Sequence, residues 1–260
     1  MSKTANIGDL LGNANSTGDL TNAALEVLNT EDVGEQIMNG FGMSADDYSA
    51  SEVVIVAILT DDSGSIEAAG NTGTIIDGHN KIIDDLLVSK NKKNILFHSA
   101  LLNGKIISDF GLIESATRLS RKNYDPVHGT PLYDNSVVFL GRVLAKAQEF
   151  KDNGISVRTI ILIVSDGKDL HSVRNKPSDC KKVVKSMQAQ ECHLVFGMGI
   201  DDKETDFNEV FRSMGIDDKY ILTPENEGKE IRAAFGLFSQ SAVKASQSAK
   251  EFSKLAGFTS

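Results

Sequence analysis

Cysteine is scarce in this chain, and long hydrophobic runs are missing. Only Cys180 and Cys192 occur, without Cys-x-x-Cys spacing, so the sequence indicates no disulfide framework. The longest apolar runs are about seven residues, against the roughly 20 that a membrane span needs. The residues after Met1 form no apolar signal segment, so we expect a cytoplasmic protein that does not bind a membrane.

Positive charge is also in deficit. The chain has 27 Lys and Arg residues against 36 Asp and Glu residues, which gives a net charge of −9. Nonspecific nucleic-acid binding needs basic patches that displace counterions, so we expect no nucleic-acid partner. Apolar residues make up 40% of the 260 residues, which is typical of a globular protein with a real core.

Strand-like and helix-like segments alternate along most of the chain. Continuous β-branched runs such as 53–59 and 159–164 predict strands buried on both faces, which is typical of parallel sheets. Asn103-Gly104 between two strand-like runs predicts a hairpin. The predicted strands are 53–59, 95–102, 106–112, 157–164, 192–198 and 220–222, and the predicted helices are 72–88, 131–151, 177–190, 207–214 and 227–249.

This order predicts an α/β fold. We expect a doubly wound, mostly parallel central sheet with one antiparallel edge strand and helices on both faces. The predicted domain spans residues 51–240. Residues 1–50 form an N-terminal polar segment that is weakly ordered or docked on the domain, and residues 241–260 form a C-terminal helical extension or tail.

Oxygen-bearing side chains follow the buried strands of this predicted sheet. Asp61, Ser63 and Ser65 follow the first strand, and Asp166 follows the fourth. Thr130 precedes the second long helix. Ligands of open α/β sheets bind outside the carboxyl ends of the strands, so we expect these side chains to share one crevice.

The residue types in this set predict a hard cation. Carboxylates and hydroxyls suit Mg²⁺, with Mn²⁺ or Ca²⁺ as alternatives, and no His or Cys completes a softer set. Neutral hydroxyls leave part of the positive charge of such an ion uncompensated. A carboxylate from a partner protein is therefore a suitable further ligand.

At these residues the sequence resembles the von Willebrand factor A (vWA) family. That family carries a metal-ion-dependent adhesion site (MIDAS) with an Asp-x-Ser-x-Ser loop, a distant Thr and a distant Asp. Asp61, Ser63 and Ser65 match the loop, Thr130 in Gly-Thr-Pro-Leu matches the Thr, and Asp166 in Ile-Val-Ser-Asp-Gly matches the last Asp. The resemblance covers about residues 52–236 and is closer to the intracellular members.

The resemblance implies a non-catalytic, Mg²⁺-dependent protein-binding module with a Rossmann-like fold. Ser63 and Ser65 would touch the metal, Thr130 would touch it directly or through water, and Asp61 and Asp166 would act mainly through water. The implied partner offers a carboxylate and is an AAA+ ATPase or part of a larger assembly. Asp62 and Asp169 depart from this pattern and predict a rim that is more acidic than metal binding requires, which leaves open whether the partner offers a carboxylate.

Two other functions compete with this hypothesis. A Mg²⁺-dependent phosphohydrolase of the haloacid-dehalogenase type also has an Asp after the first strand, but its Asp-x-Asp motif needs an acid/base carboxylate where this chain has Ser63. The other alternative is a structural vWA subunit with a vestigial site. Asp and Ser are also ordinary helix-capping and turn residues.

Overall fold

The computed structural model describes residues 6–255 of the chain. The strands are β1 (Glu52–Thr60), β2 (Ile95–Leu101), β3 (Ile106–Leu112), β4 (Ser156–Ser165), β5 (His193–Gly199) and β6 (Ile221–Leu222). The helices are α1 (Ile7–Ser16), α2 (Asn22–Leu28), α3 (Glu31–Met38), α4 (Gly64–Ala68), α5 (Thr72–Leu87), α6 (Leu132–Asp152), α7 (Pro177–Gln188), α8 (Phe207–Ser213), α9 (Gly228–Gln247) and α10 (Ala249–Lys254).

The strands form one sheet in the order β3-β2-β1-β4-β5-β6. Only β3 runs antiparallel to its neighbour, and it follows β2 through the predicted Asn-Gly turn. One group of helices contains α5 and α9, and another contains α1, α6 and α7, so helices flank the sheet. The predicted fold class is confirmed. No helix among residues 6–255 is long and apolar enough to cross a membrane.

The sheet core explains the uninterrupted apolar runs. Residues 53–60 of β1 are all buried, as are residues 159–165 of β4, because β1 and β4 lie side by side in the middle of the sheet. The chain moves from β1 to one side and returns to β4 on the other side, so the topological switch point lies between these two strands. Ligands of doubly wound sheets bind at that point.

The N-terminal segment packs on α6 through charged side chains. Lys146 is fully buried, and its Nζ donates to the Met43 carbonyl at 2.9 Å and pairs with Glu149 at 2.6 Å. The other carboxylate oxygen of Glu149 accepts from the Ala45 backbone N–H at 3.0 Å. These bonds satisfy polar groups that would otherwise be costly to bury.

The same segment covers the outer edge of β3. The Phe110 N–H donates to the Gly40 carbonyl at 3.1 Å, and the Met43 N–H donates to the Phe110 carbonyl at 2.7 Å. Gly42 between them has φ +55°, and a Cβ there would lie 2.1 Å from the Phe110 oxygen. The domain boundaries at residues 50 and 240 stay predictions, and residues 1–5 and 256–260 lie outside the described residues.

Close packing between α5 and α9 gives a testable expectation for the fold. A Cβ on Gly78 would lie 2.2 Å from the ring of Phe235, which is fully buried. We expect Gly78→Ala to lower the free energy of unfolding by about 1 to 3 kcal/mol, measured by urea titration. Gly73→Ala on the same helix meets no atom within 4 Å and should raise it by about 0.5 to 1 kcal/mol. Equal effects of the two changes would contradict this packing.

Candidate metal centre

The candidate site lies where β1 and β4 end. Thr60 of β1 is paired with Val164 of β4, and the Asp61 N–H continues the ladder by donating to the Val164 carbonyl at 3.1 Å. The chain then leaves the sheet on both strands, through the loop of Asp61 and the loop of Asp166. Both loops therefore lie at the topological switch point, as the sequence predicted.

Three side-chain oxygens converge between these loops. The Ser63 and Ser65 hydroxyls lie 2.9 Å apart. Both donate to Oδ1 of Asp166, from 3.2 Å for Ser63 and 2.8 Å for Ser65. Ser63 is 3% exposed and Asp166 is 5% exposed, whereas Ser65 is open to solvent. The cluster is thus backed by the protein and reached from one side.

Asp61 shapes the loop from beneath. Its side chain is fully buried, and Oδ1 accepts from the Ser63 N–H at 2.8 Å while Oδ2 accepts from the Ser165 hydroxyl at 2.7 Å. The Tyr124 hydroxyl donates to the Asp61 carbonyl at 2.7 Å. Asp61 therefore fixes both loops and lies behind the serine hydroxyls.

Helix capping does not explain the serines. Ser63 immediately precedes α4, yet its side chain makes no capping hydrogen bond. Its hydroxyl donates to Asp166 instead and lies 2.9 Å from the Ser65 hydroxyl. Because an ordinary N-cap serine accepts from a backbone N–H of the first turn, this arrangement differs from a simple strand-to-helix turn.

The backbone of Thr130 is bonded to the loop that follows Asp166. Its N–H donates to Nδ1 of His171 at 2.8 Å, and its carbonyl accepts from the Leu170 N–H at 3.2 Å. Two residues earlier, His128 bridges to the Asp61 loop, since its carbonyl accepts from the Gly64 N–H at 3.1 Å. Among the described residues, the Thr130 hydroxyl makes no hydrogen bond to the other four predicted site residues.

Three residues that support the site were missed in the sequence. Ser165, Tyr124 and His171 each bond to Asp61 or Thr130. Ser165 directly precedes Asp166, so its position at the strand end was a usable signal. Tyr124 and His171 lie in irregular loops, and no spacing connects them to the site.

The predicted acidic rim is wrong. Asp62 is fully buried, with Oδ1 accepting from the Asn103 N–H at 3.0 Å and Oδ2 lying 3.8 Å from Nε2 of His128. Asp169 accepts from the Ser172 hydroxyl at 2.6 Å and from the Tyr133 N–H at 3.3 Å. Asp62 is thus buried, whereas Asp169 is half-buried and hydrogen-bonded to nearby loop groups, so the two do not form an exposed acidic ring.

The environment of the site raises the pKa values of three buried carboxyl groups. Burial and the neighbouring Asp61 charge raise the pKa of Asp166 to about 6. Burial also raises the pKa of Asp62 to about 6 and raises the pKa of Asp61 despite its hydrogen bonds. In the described part of the chain, no Lys or Arg forms an ion pair with any of the three. A divalent cation bound here would supply a compensating charge.

The oxygen spacing fits a small octahedral ion. Adjacent ligands of Mg²⁺, each 2.0–2.1 Å from the ion, lie about 2.9 Å apart. The Ser63, Ser65 and Asp166 oxygens have separations of 2.8 to 3.2 Å. No cluster of three or more His, Cys, Asp or Glu side chains suited to a metal occurs among residues 6–255. A site at these residues would therefore depend on hydroxyls.

The sequence matches no protein-family model and no curated protein. Among solved structures, the pilus adhesin SpaC from Lactobacillus rhamnosus GG in its open conformation matches over 76% of this chain, with a TM-score of 0.53 and 10% identity. This chain spans 31% of the length of that adhesin. Proximal thread matrix protein 1 from the mussel byssus, with a zinc-occupied MIDAS motif, matches over 74% of this chain and 46% of its own, with a TM-score of 0.45 and 14% identity. At 10% identity, the likeness to the adhesin concerns the fold alone. This chain has a vWA-like fold.

Proposed function

We propose that this protein is a non-catalytic binding module that captures a carboxylate of a partner protein through a divalent cation. The observation that carries the proposal is the convergence of the Ser63 and Ser65 hydroxyls on Asp166 above buried, uncompensated carboxyls. The residues proposed to hold the ion are Asp61, Ser63, Ser65, Thr130 and Asp166.

The mixture of donors supports Mg²⁺ and an exposed coordination position. Ser63 and Ser65 contribute neutral oxygens, and Asp61 is already used by two internal hydrogen bonds. Bound here, the ion would supply a Lewis-acidic position open to an anionic oxygen. The chain orients that position outward through Ser65, which is exposed, while Asp61 and Tyr124 hold the loop from behind.

The positions of other acidic groups favour binding over phosphoryl transfer. A phosphohydrolase of the haloacid-dehalogenase type needs an acid/base carboxylate at the position of Ser63. The later acidic pair is also committed: Asp201 accepts from the Lys203 N–H at 2.7 Å and Asp202 from the Thr205 N–H at 2.6 Å. These carboxylates form their own turn. The proposal therefore assigns no catalytic residue.

The partner and compartment follow from the resemblance to intracellular vWA proteins. We propose a cytoplasmic partner that is an AAA+ ATPase or a component of a larger assembly and offers an exposed Asp or Glu. A vestigial site in a structural subunit is the competing proposal. It predicts that no ion binds, although Ser63, Ser65 and Asp166 are close enough to share one.

A peptide pair tests carboxylate capture directly. We expect acetyl-Gly-Glu-Gly-amide to shift amide resonances of the loops at 61–65 and 166–171 when Mg²⁺ is present, and not after EDTA treatment. The neutral isostere acetyl-Gly-Gln-Gly-amide should leave them unchanged, because the interaction depends on the charge. Equal shifts with both peptides, or shifts that survive EDTA, would refute the proposal.

A further inference from the structure

Exposed apolar side chains concentrate beside the candidate metal centre. Five large apolar side chains are exposed among the described residues, namely Val88, Val127, Leu170, Val173 and Leu237. Val127 lies in the loop of Thr130, and Leu170 and Val173 lie in the loop of Asp166. They are 64%, 66% and 89% exposed, respectively. Isolated exposed apolar residues are ordinary, but three in the two loops of one site mark a contact surface.

The loop that carries Leu170 and Val173 is held in place by a buried carboxylate. Asp134 at the start of α6 is 4% exposed and accepts from the N–H groups of Val173 at 2.9 Å and Asn175 at 2.6 Å. Asp169 adds the bond from the Ser172 hydroxyl at 2.6 Å. The protein therefore fixes the backbone on both sides of Val173 while that side chain stays in solvent. Such rigidity lowers the entropy cost of binding.

The same loop is coupled to Thr130. The Leu170 N–H donates to the Thr130 carbonyl, and the His171 ring accepts from the Thr130 N–H. Gly129 allows this approach, because a Cβ there would lie 2.7 Å from the ring of His171. Val127 precedes His128, whose N–H donates to the Asp62 carbonyl at 3.1 Å. The backbone of this loop and the His171 ring make these hydrogen bonds, and the apolar side chains of Leu170 and Val173 take no part in them.

The charges of this loop select an acidic occupant. Besides Asp166, its only carboxylate is Asp169, which is satisfied internally. Lys168 and Lys176 of the same loop are exposed, whereas the Arg174 guanidinium lies 3.8 Å from the buried Asp134 carboxylate. A cation at the site would add further positive charge. Asp125, two residues before Val127, is exposed, so the positive charge lies on the loop of Leu170 and Val173, where it complements a carboxylate with apolar neighbours.

We propose that Val127, Leu170 and Val173 form an apolar rim that selects partner segments in which the Asp or Glu is flanked by aliphatic side chains. This inference rests on the proposed function, since the carboxylate must first be captured. The occupant is a segment of another protein. The rim supplies selectivity among acidic segments, and the metal-site residues supply the requirement for a carboxylate.

Two tripeptides and two surface variants test this rim. On full-length protein saturated with Mg²⁺, acetyl-Leu-Glu-Leu-amide should bind about fivefold or more tightly than acetyl-Ser-Glu-Ser-amide, because its leucines cover apolar surface. The double variant Leu170→Ser, Val173→Ser should bring that ratio close to one. Val88→Ser removes an apolar side chain that is 82% exposed outside both loops, and it should leave the ratio unchanged.

A third peptide separates the rim from metal capture. The rim variant should still prefer acetyl-Leu-Glu-Leu-amide over acetyl-Leu-Gln-Leu-amide, because the metal-site residues are intact. Equal affinity of the wild type for the two Glu peptides overturns the rim while carboxylate capture stands. Loss of the Glu-over-Gln preference in the wild type overturns the proposed function itself. Self-association that the rim variant abolishes would overturn the choice of occupant in favour of a second copy.

Discussion

Asp166→Asn is expected to make the metal-free protein more stable near neutral pH while abolishing metal binding. Asp166 is buried beside Asp61, and this environment raises its pKa to about 6. Its ionised form therefore disfavours the folded state at neutral pH. Asn keeps an oxygen that accepts from Ser63 and Ser65 but removes the charge. We expect a gain of about 1 to 3 kcal/mol in the free energy of unfolding and a loss of at least about 100-fold in metal affinity.

The sign of this effect follows from the two pKa values. The folded pKa of Asp166 lies above the ordinary value of 3.8, so its stabilising protonation is complete below the ordinary value and is lost as the pH rises through about 6. The metal-free wild type should unfold at a higher temperature near pH 5 than near pH 7, and Asp166→Asn should reduce this difference, leaving the part that Asp62 contributes. Saturating Mg²⁺ should stabilise the wild type alone.

A matched carboxylate on the surface provides the control. Asp84 pairs with Arg118, and this hydrogen bond lowers the pKa of Asp84. Asp84→Asn should therefore give no stabilisation and leave metal binding unchanged. If Asp166→Asn destabilised the metal-free protein, or still bound the ion with wild-type affinity, the electrostatic account of the site would be wrong.

Metal affinity is expected to fall steeply in mild acid. Protons compete with the ion for Asp166, whose pKa is raised to about 6. The pKa of Asp62 is also raised to about 6, and its protonation removes negative charge near the ion. Each carboxyl that must ionise should weaken binding about tenfold between about pH 7 and pH 5. Titration calorimetry in buffers of different ionisation enthalpy measures both the affinity and the protons released.

Asp62 gives this prediction an internal check. Asp62→Asn should reduce the pH dependence while keeping a measurable site, because Asp62 is not one of the predicted ligands and its Oδ1 bonds to the Asn103 N–H. A metal affinity that stays constant across this pH range would show that no carboxyl group with a raised pKa takes part in binding.

The sequence was most informative where burial and chemistry act locally. The runs at 53–59 and 159–164 are apolar without alternation because their strands are covered on both faces, and this identified the centre of the sheet. The position of the site followed from topology, since Asp61 and Asp166 come directly after these strands. The proximity of Asp166 to Ser63 and Ser65 could therefore be predicted from the sequence alone.

Contacts between distant loops could not be predicted in the same way. Asp62 and Asp169 look like rim residues in the sequence. In the structure they accept hydrogen bonds from backbone N–H groups that are distant along the chain, those of Asn103 and Tyr133. The N-terminal segment has no strong apolar run, yet scattered apolar residues such as Leu11, Leu28 and Ile37 are buried, and Lys146 and Glu149 of α6 bond to its backbone. Polar contacts of this kind have no periodicity, so pattern analysis does not find them.

Calorimetric titration of Mg²⁺, Mn²⁺ and Ca²⁺ into metal-stripped protein tests the central claim most directly. We expect one saturable site, preferring Mg²⁺ or Mn²⁺, that is lost in Asp61→Ala and Ser63→Ala. Ser16→Ala, which removes an exposed hydroxyl from α1, should bind as the wild type does. Binding that persists in Asp61→Ala and Ser63→Ala, or no binding in the intact protein, would contradict a metal centre at these residues and favour a structural subunit.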